Sequence, residues 1–467
     1  MRSINQRSFV QSANRAVLAL IVVAGMAFAA GCGGGGGSSI TPGPTPIPAG
    51  HSSTQVRIGD APADSVIAFE VSVTSLTLTP SGGGTPASVA VAANNRIELT
   101  HASGKFEPFA IGNLPQGTFS AANLTLANSE LTFLNSTGTA VHINGPASAS
   151  VTVPLNPAIT VGTSPLVLSI DINVANSITT DNTGVVNGIS FGASSFNITG
   201  KAPGAQAQQE DDDGEIEDIR GTVTAATSST FTLKVGQTGA SMDFNFDSTT
   251  QFSDGVTAGT LLNQIVTVEG FTRSDGSLFA KEVEGQEAST GSELEGMITS
   301  ISGSLLTVTA HDGSGSGMDD TKVGADFTVS ISGLSPSKFR VDSGNGFGGS
   351  VPNTLTFSAT TIHAGQQIEV ESNNPVPAAN GSITADKIKL QQQGVSGTVA
   401  NLGASAFDIN LAADSALAVI SGQTVVHVTK VSATDTRKAP ANGGSVQVRG
   451  LLFWDGTSWQ LIARRIR

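Results

Sequence analysis

The sequence predicts an all-β chain: an N-terminal antiparallel β-sandwich followed by three small barrel-like repeat units. Three observations predict it. Short runs alternate apolar and polar residues with a period of two, the pattern of half-buried strands. Val, Thr and Ser are abundant, Tyr is absent and only 13% of residues are charged, which suits strands better than helices. The runs are separated by clusters of Gly, Pro and Asn, the residues that turns require.

The chain opens with Arg2, Arg7 and Arg15, then an uncharged apolar stretch from Ala16 to Ala30. A basic segment, an apolar segment and small residues in that order predict a secretory signal over residues 1–31. The apolar run is too short to span a membrane. Cys32, the only cysteine, follows at once. A lone exported cysteine can be a buried thiol or an intermolecular partner. Here Gly33 to Gly37 follow, and no core forms around them. Ala29-Ala30-Gly31-Cys32 resembles the lipobox of bacterial lipoproteins, with Ala29 where a larger aliphatic is common. The resemblance implies cleavage before Cys32 and acylation of its thiol and new amino group. Several acyl chains make a stable anchor where one is marginal. Gly33, where an aspartate would imply inner-membrane retention, implies delivery to the outer membrane.

Removing residues 1–31 removes three arginines and no acids, taking the formal net charge from −14 to −17. Such a surface repels nucleic acid and anionic head groups, so neither is an expected partner. With Cys32 acylated there is no disulfide, and the domains must stand on hydrophobic burial alone.

Residues 32–54 are Gly-rich and then Pro-rich, a tether flexible first and stiffer later. The sandwich is placed at 55–200. Phe69, Val71 and Val73 alternate with polar or small residues, then the phase flips to Leu76 and Leu78, which predicts a bulge near Thr74–Ser75. Leu124 and Leu126 mark another strand. Leu166, Leu168, Ile170, Ile172 and Val174 hold one parity, with Asp171 and Asn173 on a polar outer face. Asp60-Ala61-Pro62, the segment Leu114 to Phe119 and the strand Leu166 to Val174 resemble domain-of-unknown-function family 4382, with Phe119 where that family often has tyrosine. That implies a secreted β-sandwich and no particular activity. Residues 201–218 crowd seven acids into a short span and read as a self-repelling linker. The calcium alternative lacks the D-x-[DN]-x-[DN]-G spacing.

The rest repeats itself, at 219–286, 294–392 (with an insertion around 311–350) and 395–467. Each unit opens with Gly and a short strand: Gly221-Thr222-Val223, Gly296-Met297-Ile298, Gly397-Thr398-Val399. A later strand recurs as Val266-Thr267-Val268, Ile368-Glu369-Val370 and Val446-Gln447-Val448. A hairpin dipeptide follows, Asp275-Gly276, Asn380-Gly381 or Asp455-Gly456, and then Ala-x-x-aliphatic closes the unit. Units this long exceed solenoid repeats and suit small closed barrels. The pattern resembles domain-of-unknown-function family 5666, which implies small barrels with an oligonucleotide-binding-fold (OB-like) character.

Few residues point to chemistry. His51, His101, His142, His311, His363 and His427 are scattered, so no histidine ligand pair is visible. There is no G-x-S-x-G elbow, and Gly104-Lys105 and Gly200-Lys201 are not followed by Ser or Thr as a phosphate loop needs. Asp60 and Asp64 flank Ala-Pro-Ala and read as turn chemistry before a cation site. His311-Asp312 to Asp319-Asp320 reads as a mobile acidic insertion, with calcium as the alternative. Trp454 and Trp459 bracket the last hairpin; one is expected to pack inward. Arg464, Arg465 and Arg467 read as a solvated terminal strand. Catalytic, cofactor and metal residues are therefore assigned as none, and lipidation to Cys32. The expectation is a lipid-anchored envelope β-protein with a non-catalytic binding, adhesion or structural role toward extracellular polymer or glycan. The alternative is an exported hydrolase with a glycosidase-like carboxylate site.

Overall fold

The structure is a computed structural model. It describes residues 47–467 apart from 62–64, 94, 101–105, 136–137, 183–184, 206–212, 237, 286–290, 319–321, 342–346 and 348–350. The signal segment, Cys32, the tether to residue 46, Asp64, His101, Glu210 to Asp212 of the acidic run, Asp319 and Asp320 lie outside the described residues.

The N-terminal sandwich contains β1 (His51–Ala61), β2 (Val66–Pro80), β3 (Ala87–Val89), β4 (Ile97–Glu98), β5 (Phe106–Pro115), β6 (Gly117–Leu134), β7 (Ala140–Asn144), β8 (Ser148–Val161), β9 (Leu166–Asn173), β10 (Ile178–Thr180), β11 (Val186–Ile189) and β12 (Phe196–Lys201). One sheet runs β12-β9-β1-β5; the other runs β3-β2-β6-β7, with β4 on β2 and β8 on β6. Pairing is antiparallel except between β1 and β9, which run parallel. Phe69, Val71 and Val73 point into the core, the β2–β6 register shifts between Val73 and Ser75, and Leu76 and Leu78 return to the core. The expected bulge therefore keeps one face of β2 apolar through a change of phase.

The outer face of β9 departs from expectation. Val167 and Ser169 are buried as fully as Leu168 and Ile170. The next unit covers this face: Thr272 donates to Gln55 Oε1 at 2.5 Å, and Arg57 donates to the Glu215 carbonyl.

The first repeat unit comprises β13 (Glu215–Ala226), β14 (Thr230–Val235), β15 (Ser241–Asn245), β16 (Gln251–Ser253), β17 (Ile265–Thr272) and β18 (Leu278–Gly285). The second comprises β19 (Ser292–Ser302), β20 (Leu305–Gly315), β21 (Asp326–Ser330), β22 (Phe339–Val341), β23 (Gln367–Ser372), β24 (Ser382–Thr384) and β25 (Lys387–Leu390). The third comprises β26 (Gln392–Ala400), β27 (Ala406–Asn410), α1 (Ala416–Ser421), β28 (Val425–Thr436), β29 (Ser445–Trp454) and β30 (Trp459–Ile466). The third unit is a closed barrel, β26-β27-β28-β30-β29. The first closes the same way, through parallel pairing of β15 with β18 at Phe244 and Leu278. In the second, β21 pairs with β24 while β23 pairs with β25, so the closing strand is split in two.

The repeated residues have repeated jobs. A Cβ on Gly221, Gly296 or Gly397 would fall on a carbonyl oxygen of the adjacent strand, Lys234, Thr309 or Asn410. Val266, Val268, Val446 and Val448 are buried, while Thr267 and Gln447 on the other parity are half-buried. Gly276 and Gly456 adopt φ of +85° and +102° in the hairpins, and Asp275 and Asp455 accept backbone N–H bonds from Ser277 and Thr457.

The units are joined by buried ion pairs from β13. Arg465 Nη2 meets Glu215 Oε1 at 2.9 Å and Glu217 Oε1 at 2.6 Å, and Arg437 meets Glu215 Oε2 at 3.0 Å. Arg220 pairs with Glu293 at 2.5 Å and donates to Ser314 Oγ at 2.7 Å. Burial raises the Glu293 carboxyl above its usual range, and the Arg220 charge beside it opposes the shift. Arg465 is thus 2% exposed in its side chain, not part of a solvated terminal strand.

Candidate functional site

The chemistry-bearing side chains that converge lie on the outer side of β2, β6 and β7, where residues 323–325 and Asn380 of the second unit cover the sheet. A cavity of about 220 Å³ remains between them. Register sets a polar row that enters its floor through Glu70, Glu130 and Asn144. Glu98 on β4 pairs with Glu70 on β2, Glu70 with Glu130 on β6, and Glu130 with Asn144 on β7. Paired residues share a face, so three carboxyls and an amide form one row across four strands.

Arg96 reaches over this row. Its Nη2 pairs with Glu70 Oε2 and lies 3.0 Å from Glu130 Oε2. Glu98 is engaged elsewhere: its Oε1 accepts from the Phe69 N–H at 2.8 Å and from the Thr100 N–H at 3.1 Å. Burial pushes the Glu70 carboxyl up to about 8; Arg96 opposes the shift, and Glu98 and Glu130 add to it. Burial thus favours the protonated form of Glu70, while the Arg96 guanidinium favours the charged one. Beside it, Thr132 Oγ1 donates to the Gly324 carbonyl at 3.2 Å and lies 2.9 Å from His142 Nδ1. The hydroxyl has one proton, so both bonds form together when His142 Nδ1 is the protonated nitrogen.

A strongly shifted acid in a cavity, next to a second carboxyl, is the arrangement of an acid pair. The position of Arg96 decides its use. One guanidinium nitrogen contacts both carboxyls, so the space between them is filled where a glycosidase would place the scissile bond.

The sequence-derived candidates do not converge. Asp171 faces Arg467, and burial pushes its carboxyl up to about 6. Asn173 Oδ1 accepts from the Asn176 N–H at 2.9 Å and caps a short turn. Asp60 lies in β1, paired with Ile172. His311 and Asp312 belong to β20, and His311 is buried with its Nδ1 2.8 Å from Gln367 Nε2, so this part of the insertion is strand. Trp454 and Trp459 are direct cross-strand partners, their rings 5.0 Å apart and T-shaped, with His363 at 4.3 Å from Trp454. Trp459 is the one that packs inward. His427 pairs with Asp408 at 2.6 Å on the exposed side of the third barrel. Among the described residues, no group of three His, Cys, Asp or Glu side chains is placed to hold a metal ion. Sequence reading missed Glu70, Arg96 and Glu130 because the apolar alternation assigns Glu70 to a solvent face. The one available signal was Arg96 and Glu98 flanking buried Ile97.

Comparison with known proteins gives one family match. Residues 220–284, spanning β13 to β18, match the family described as Domain of unknown function (DUF5666). No curated protein matches the chain. Among solved structures, the chain is similar to a multidomain protein with nucleic acid binding domains from Streptococcus pneumoniae TIGR4. The identity is 12%, the match covers 52% of this chain and 72% of that one, and the TM-score is 0.12, too low to carry an argument.

Proposed function

We propose that the protein is a lipid-anchored component of the bacterial cell envelope, held at the outer membrane through Cys32, whose β body binds extracellular polymer without cleaving it. The Ala29-Ala30-Gly31-Cys32 segment and the preceding signal support the anchor. The sandwich is read as a member of domain-of-unknown-function family 4382, and the second and third units as further members of the family that the first unit matches. The single observation that carries binding over hydrolysis is Arg96, seated between Glu70 and Glu130. Net charge opposes nucleic acid as the ligand.

The test is a polysaccharide screen of the mature chain, reading both retention and release of reducing ends. Retention without release is the expected result. Release that disappears in Glu70→Gln and Glu130→Gln would replace this reading with the hydrolase.

A further inference from the structure

Past the bulge, the outer side of β2 continues beyond the cleft onto an open surface formed with β3, β6 and β8. Register places Ser88, Thr77, Asn123 and Thr152 in one row across these four strands. Ser75, Thr125 and Ser150 form the next row. Thr152 Oγ1 donates to Asn123 Oδ1 at 2.8 Å, and Asn123 Nδ2 donates to Thr79 Oγ1 at 2.9 Å, so neighbours hold these side chains in place. Thr152, Ser150 and Ser88 are exposed.

This surface has no formal charge. No Asp, Glu, Lys or Arg occurs from Val71 to Asn95, from Pro108 to Ser129, or from Leu131 to Ile170, in a chain with 37 acids and 23 bases. Exposed surfaces of soluble proteins normally intersperse both signs of charge. A neutral sheet face of this extent in a chain of net charge −14 is therefore a local feature that composition does not explain.

We propose that this face docks a neutral polysaccharide laid across the strands. The inference rests on the reading of the chain as an envelope-displayed polymer-binding protein. A polyanion is repelled by the chain's net charge, and a polycation is drawn to acids elsewhere. Hydroxyls and an amide supply both donors and acceptors, which is what sugar hydroxyls need. Strands about 4.8 Å apart repeat these groups regularly, and a polymer of sugar rings repeats its own. Neither row contains an aromatic platform. Each net hydrogen bond contributes only about 0.5–1.5 kcal/mol. Affinity must come from many sugars at once, so polymer binds where a monosaccharide does not.

The experiment is co-sedimentation of the mature full-length chain with microcrystalline cellulose and with chitin as neutral probes, and with alginate gel as the charged probe. The expected result is sedimentation with a neutral probe, unchanged by high salt and not competed by glucose. The triple variant Thr77→Lys, Thr125→Lys, Thr152→Lys should lose at least tenfold in bound fraction with its melting temperature retained. Ser337→Lys, on an exposed turn of the second unit, should bind like wild type. Equal binding by the triple variant overturns this face as the site and leaves the polymer-binding reading standing. Sedimentation of the wild type with neither neutral probe, or with alginate alone, overturns the inference. If the screen above also finds no polymer of any kind, the reading falls with it.

Discussion

The first and third barrels close with an unbroken strand, whereas the second closes with a broken one, and the residue at the register shift differs with them. In the first, the β17–β18 register shifts between Glu269 and Gly270; in the third, the β29–β30 register shifts between Arg449 and Gly450. A Cβ on either glycine would fall on a carbonyl oxygen of the closing strand, Phe279 or Ile462. The second barrel has Ser372 at this place. Its closing strand stops at Thr384 and resumes at Lys387, with Asp386 accepting from the Asn373 N–H at 2.6 Å. The inward alternation that builds a ring is thus separable from the bulge that lets one strand serve both neighbours.

The largest expected effect would break the comparison altogether. Val268→Asp and Val448→Asp each bury an unpaired charge in a barrel core and should destabilise by more than about 4 kcal/mol. Gln447→Asp, on the other parity, should be mild. Thermal melts of the full chain measure this; equal tolerance at both parities would mean that these segments do not line the barrel cores.

Next is Arg465→Ala. It strips Glu215 and Glu217 of a buried partner, at a cost of about 3–5 kcal/mol. Hydrogen exchange should show protection lost where the first and third barrels meet and retained between the first and second, where Arg220 holds Glu293. Uniform loss would show that the barrels are not joined pair by pair.

A smaller effect sharpens the comparison. Gly270→Ala and Gly450→Ala should each cost about 1–3 kcal/mol by overpacking against backbone. Ser372→Gly should change stability little, because the second barrel closes without the bulge. Denaturant melts of the three variants give the order.

The last expected effect is a pH dependence, carried by the sandwich and spread over several pH units. Glu70 has its folded-state pKa raised from 4.5 to about 8. The folded state then binds the proton more tightly than the unfolded one. Its contribution to stability is present below pH 4.5 and is lost as pH rises toward about 8. Glu70→Gln should flatten that part of the melting-temperature profile. An unchanged slope would mean that Glu70 titrates normally.

Much of this fold is legible in local pattern. The bulge in β2 shows as a phase change, and the barrels show as glycine, paired valines and a hairpin dipeptide in fixed order. What was not legible depends on long-range contact. The face of β9 that carries Asp171 and Asn173 read as polar and outer, and only the packing of the first barrel on Gln55 and Arg57 buries its Val167 and Ser169. Arg465 read as a solvated end because its partners, Glu215 and Glu217, lie some 250 residues away in sequence. The candidate site was hidden for the same reason: Glu70, Glu98 and Glu130 become one row only through strand register. In the second barrel, Asn380 has φ of +63° while Gly381 does not, so the expected dipeptide is present but its positive φ falls on the asparagine.

The central claim, an envelope-anchored binding body, is tested most directly by the intact mass of the protein extracted from membranes with detergent. The account predicts a chain that begins at Cys32 and carries the added mass of several acyl chains, with Cys32→Ser giving an unprocessed or soluble exported protein. A membrane-extracted chain that begins elsewhere, or one that begins at Cys32 without added mass, would contradict it.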